Sequence, residues 1–99
     1  MGKCKPNRDC LKIPFPPECF KFCVEQILRV ARPKEKIEIL GMDRDLAEAI
    51  FRTYNYGRKS IKSFDDLSRS LSHSQNQRLI DIFSNLNQSQ LDYFIVRIN

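Results

Sequence analysis

The chain reads as an all-α protein, a compact bundle of about five to six short helices, on three observations. Apolar residues recur at three- and four-residue spacings through most of its length. Cap-forming residues such as Ser63, Ser74 and Asn87 stand just ahead of those periodic runs. No stretch shows a convincing strand pattern.

Pro14-Phe15-Pro16-Pro17 forces an extended entry, because each proline fixes its own φ and disfavours helix in the residue before it. A helix can open on Pro17, with Glu18 near its positive end. Phe20, Cys23, Val24, Ile27, Leu28 and Ala31 make its apolar face, and Pro33 ends it. The second helix, Pro33 to Leu40, stops at Gly41, which is expected to hold a positive φ. The third opens near Asp43 to Asp45, where Asp45 and Glu48 have a capping-box spacing, and turns Leu46, Ala47, Ile50, Phe51 and Tyr54 inward. Asn55-Tyr56-Gly57 breaks it.

Ser63 with Asp66 caps a fourth helix bearing Phe64, Leu67 and Leu71. Ser74 with Gln77 caps a fifth carrying Leu79, Ile80, Phe83 and Leu86. Asn87 with Gln90 caps the last, on which Leu91, Phe94, Ile95 and Ile98 follow the i, i+3, i+4, i+7 rule.

At 99 residues this is one domain, which buries roughly 65% of its unfolded surface on folding and leaves little room for a deep cleft. Residues 1–16 are a basic, cysteine-bearing N-terminal arm and residues 17–99 the helical bundle. With 41% hydrophobic and 29% charged residues the composition is that of a folded chain. No run of about 18 apolar residues is present. Met1-Gly2-Lys3-Cys4-Lys5-Pro6 lacks the form of a secretory signal, and Pro6 stands where an acylation pattern carries Ser or Thr. A soluble, cytoplasmic protein without a membrane partner is expected.

Ile39-Leu40-Gly41-Met42-Asp43-Arg44-Asp45, followed by Leu46-Ala47-Glu48-Ala49-Ile50, resembles the helix-hairpin-helix motif. Leu40-Gly41-Met42 matches its hydrophobic-Gly-hydrophobic centre. Ser63-Phe64-Asp65-Asp66-Leu67 with Leu71-Ser72 is similar to the entry into a second, degenerate hairpin, so the resemblance is to a tandem domain over residues 39–86. It implies backbone amides and a helix N-terminus laid against a nucleic-acid phosphate at Gly41, Met42, Asp43 and Arg44. Asp43 stands where the motif carries its second glycine. A carboxylate within ~4 Å of a phosphate repels it by about 1 kcal/mol in water, and by more in a drier interface.

Cys4, Cys10, Cys19 and Cys23 all fall in the first quarter, with Cys19 and Cys23 on one helix face. Four thiolates suit a structural zinc, although the tight two-residue knuckle is absent. Two disulfides pinning the arm to the helix, or free thiols with Cys23 in the core, are the alternatives.

The net charge of +5 is concentrated in two segments. One holds Lys3, Lys5, Arg8 and Lys12 and the other Arg58, Lys59 and Lys62, with Tyr54 and Tyr56 alongside the second. These seven cations are the candidate contacts to nucleic acid. Exposed tyrosines beside them would suit base stacking, but Tyr54 is expected to finish the core face of the third helix and Tyr56 to cover the break. Enzyme chemistry finds little to work with. The one histidine, His73, lies in a Ser-rich turn, and no nucleophile, phosphate loop or paired carboxylate motif accompanies it. The expected function is a non-enzymatic adaptor or regulatory module that binds a protein. The alternative is sequence-independent DNA or RNA binding through the basic segments.

Overall fold

A computed structural model describes residues 3–56 and 63–98. Helix α1 spans Pro6–Asp9, and a 3-10 turn over Pro17–Cys19 leads into α2, Phe20–Val30. Then follow α3 Pro33–Glu38, α4 Arg44–Tyr56, α5 Phe64–Ser70, α6 His73–Ser84 and α7 Gln88–Ile98. Among the described residues there is no strand. The chain is all-α, and the six expected periodic segments are all helices. The expected break at Gly57 lies outside the described residues.

The bundle is built around α2. Its stripe of Cys23, Val24, Ile27 and Leu28 is at most 1% exposed and meets α1, α5 and α7. Burying an aliphatic side chain of this size contributes about 1.5–3 kcal/mol. Leu46 and Ile50 of α4, Leu67 of α5, Leu79 of α6, and Leu91 and Phe94 of α7 complete the core.

Three helix starts differ from the expected ones, each because a nearer hydrogen bond takes precedence. The first long helix begins as a 3-10 turn, where the Cys19 amide donates to the Pro16 carbonyl at 2.8 Å, and becomes α-helical at Phe20. For α4 the cap is Asp43, not Asp45: its Oδ2 accepts from the Leu46 amide at 3.1 Å. For α6 the capping box is Ser72 with Gln75, two residues ahead of Ser74 and Gln77. The Gln75 amide donates to Ser72 Oγ at 3.1 Å, and the Ser72 amide to Gln75 Oε1 at 2.9 Å. The caps at Ser63 and Asn87 stand where the spacing puts them.

Between α3 and α4 the chain turns sharply at Gly41, whose φ is +73°. The Met42 amide reaches back to the Lys36 carbonyl at 3.0 Å, so Leu40 and Met42 enter the core on either side of the glycine. A Cβ added at Gly41 would meet nothing within 4 Å, which leaves backbone strain as the sole penalty for a side chain. Helix α7 fastens the connections with side chains. Gln88 Nε2 donates to the Leu11 carbonyl at 2.9 Å, its Oε1 accepts from the Ile13 amide at 2.8 Å, and Gln90 Nε2 donates to the Ile39 carbonyl at 3.0 Å.

The arm is ordered, and it carries a helix too short to leave a periodic signal. Two disulfides, Cys4–Cys19 and Cys10–Cys23, hold it to the start of α2. This corrects the expected zinc site, since paired sulfurs offer no thiolate. The sulfurs of Cys4 and Cys19 lie within 4.8 Å of an Asp9 carboxylate oxygen, a donor set with the spacing of a metal site, but the two sulfurs are bonded to each other.

Two outcomes follow from these constraints. Gly41→Ala is expected to lower the unfolding free energy by about 1 kcal/mol, and Gly41→Val by more, in urea denaturation. With bridges closing separations of 15 and 13 residues, each disulfide should contribute about 3 kcal/mol. Under graded dithiol, half-buried Cys4 should release its bond before Cys10 and Cys23, both 0% exposed. Peptide mapping of alkylated cysteines reads that order.

Candidate functional site

The expected basic site is only partly assembled. Lys3, Lys5 and Lys12 are exposed on the arm. Arg8 is committed to Asp9, with the closest contact at 2.9 Å. That pairing raises the arginine's affinity for its proton and lowers the Asp9 carboxyl below its ordinary range. Arg58, Lys59 and Lys62 lie outside the described residues. His73 opens α6 and is exposed. The Tyr54 ring is part of the folded body, with the Arg29 guanidinium 4.9 Å from its centroid.

The hairpin is occupied by its own side chains. Met42 is 2% exposed and belongs to the core. Asp43 caps α4 and reaches α6, where Arg78 Nε donates to its Oδ1 at 2.9 Å. Burial pushes the Asp43 carboxyl up, but the Leu46 amide and Arg78 outweigh it and hold it below the ordinary range. The α4 N-terminus therefore has its anion already, supplied by the chain itself.

Beside the hairpin, α3 and α4 enclose a groove of about 400 Å³. Its floor is Pro33, Ile37 and Ala47, and its rim carries Lys34, Glu38, Arg44 and Glu48. Lys34 and Glu38 approach to 3.9 Å across one turn. Ile37 is 36% exposed, one of three large apolar side chains open to solvent among the described residues, with Tyr93 and Val96 of α7.

The residues that sequence reasoning passed over are Glu35 and Lys36. Glu35 receives both arms of the Arg97 guanidinium at 2.8 and 2.9 Å, the Tyr93 hydroxyl at 3.1 Å and the Arg32 amide at 2.9 Å. Arg97 also donates to the Val30 carbonyl at 3.2 Å, so one fork ties α7 to α3 and to the end of α2. The Arg97 guanidinium holds the Glu35 carboxyl down at about 2, against the opposing effect of burial.

Lys36 is 2% exposed, and its Nζ donates to the Ala31 carbonyl at 2.7 Å. Burial pushes the ammonium down to about 8, while the charge of Glu35 pulls it back up. Lys34-Glu35-Lys36 has the look of a solvated charge run. The signal available was Leu40, four residues beyond Lys36 and therefore on the same helix face.

The chain matches no protein-family model, no curated protein and no solved structure. Among the described residues no helix is long and apolar enough to cross a membrane.

The Glu35 cluster sets a pH dependence. Its carboxyl sits at about 2 in the fold against about 4.5 unperturbed, so the stability it contributes is complete above 4.5 and is lost as pH falls toward 2. Glu35→Gln should flatten the acid limb of the stability curve. At neutral pH it should cost about 3 kcal/mol, because it strands the partly buried Arg97. Thermal unfolding from pH 2 to 7 measures both.

Proposed function

We propose that this chain is a non-enzymatic binding module that receives a protein segment in the α3–α4 groove. The observation that carries the reading is the groove's construction. An apolar floor with one exposed isoleucine is ringed by two cations and two carboxylates, the core-and-rim anatomy of protein interfaces. A partner offering one apolar side chain flanked by charges of both signs is complementary to it. Nucleic acid fits less well, because Glu38 and Glu48 repel phosphate at this rim and Asp43 fills the hairpin. The two disulfides suit an oxidising compartment, which we propose as the working location in place of the cytoplasm expected from sequence.

The test compares capture by the wild-type protein, Ile37→Asp and Lys5→Glu, followed by direct titration of the recovered partner. Wild type and Lys5→Glu should bind one partner with affinity that changes little as salt rises, and Ile37→Asp should lose about tenfold or more. Equal binding by Ile37→Asp would overturn the reading. In a mobility-shift assay with random duplex and single strands, a salt-sensitive complex weakened by Lys5→Glu would favour the nucleic-acid alternative instead.

A further inference from the structure

We infer that a second cavity, closed by the end of α2, α3 and α4, is a binding site for a small organic anion, a single-ring carboxylate or phosphate ester, held by the ammonium of Lys36. The cavity has a volume of about 280 Å³ and is separate from the α3–α4 groove. It is lined by Arg29, Arg32 and Lys36 with no acidic residue, whereas the groove balances its charges. The charged side chains of its own lining are therefore all positive.

Two buried polar groups belong to its lining residues and are short of partners. An ammonium has three donors, and among the described residues only the Ala31 carbonyl receives one from Lys36. The Tyr54 hydroxyl is buried and has no hydrogen-bond partner among the described residues. Leaving buried polar groups unmet is costly, and both belong to residues that line the same space. A bound oxyanion would accept hydrogen bonds from both and balance the charge of a lysine that the fold otherwise keeps in a poorly solvated place.

The rest of the lining specifies the ligand's body. Leu28, Phe51 and the ring of Tyr54 form an apolar wall that an inorganic ion would leave uncovered. Arg29 and Arg32 are exposed, and each already has an acidic neighbour, Glu25 at 2.9 Å and Glu35 at 3.7 Å. They draw an anion toward the cavity, and Lys36 and Tyr54 make the contacts within it.

The experiment is an amide chemical-shift titration at neutral pH with three probes, benzoate, phenyl phosphate and inorganic phosphate. It is repeated on Lys36→Met, Tyr54→Phe and, as a control, Lys21→Met. Saturable shifts confined to residues 28–36 and 51–54 are expected with benzoate or phenyl phosphate, and whichever binds more tightly identifies the head group. Lys36→Met should weaken binding at least about tenfold and Tyr54→Phe about threefold, while Lys21→Met leaves it unchanged. Should Lys36→Met fail to fold, Tyr54→Phe carries the comparison. No saturable shift with either organic anion, equal affinity for inorganic phosphate, or undiminished binding by the variants would overturn the inference.

Discussion

Everything else in this molecule depends on α2 being buried along its length and fastened at both ends. A helix of 11 residues is marginal alone, and its four fully buried side chains hold it only if neighbours stay in place. At the start the fastening is covalent, through Cys19 and Cys23. At the finish it is ionic and polar, where the Ala31 carbonyl accepts from Lys36 and the Val30 carbonyl from Arg97. These are carbonyls of the helix's last turn, which have no partner within the helix. The charged residues of α3 and α7 thus perform the service that a glycine cap performs elsewhere.

The two buried charges of α3 have opposite energetics although they are neighbours in sequence. Glu35 is saturated: a bidentate arginine, a phenol and an amide meet its two oxygens, and its proton affinity falls accordingly. Lys36 has one acceptor among the described residues, and its proton affinity falls because burial penalises the charge. The first arrangement stabilises the fold. The second costs it something while the ammonium stays protonated, and a buried lysine kept on such terms calls for a compensating role, which the cavity beside it can supply.

What the sequence made legible was everything with a period. The apolar spacings from Phe20 to Ile98 located the helices, and the caps Ser63 and Asn87 stand as read, because a repeated pattern averages over many residues. Features decided by a single contact were not legible. Helix α1 has four residues and no period, so no helix was expected in the arm. The cysteine pairing depended on that helix. Helix α1 separates Cys4 from Cys10 on the arm, one turn separates Cys19, at the end of the 3-10 turn, from Cys23 in α2, and the sulfurs pair in that order. Spacing alone left metal, disulfide and free thiol all open for four clustered cysteines. The burial of Lys36 was hidden for a related reason, since a lysine in the run Lys34-Glu35-Lys36 reads as solvated unless its helix face is traced to Leu40.

Asp43 shows how a resemblance in sequence and an arrangement in space can diverge at one residue. The turn itself has the expected form, with a positive-φ glycine between two buried apolar residues and a helix opening directly after it. In a phosphate-binding hairpin that helix N-terminus is left open for a ligand's charge. Here the Asp43 carboxylate takes the Leu46 amide and recruits Arg78 from α6, so the positive end of α4 is neutralised from within and the turn is braced against a third helix. The backbone device and the chemistry it often serves are therefore separable. The bend at Gly41 sets α3 against α4. That packing creates the groove on one side and leaves Lys36 facing the cavity on the other.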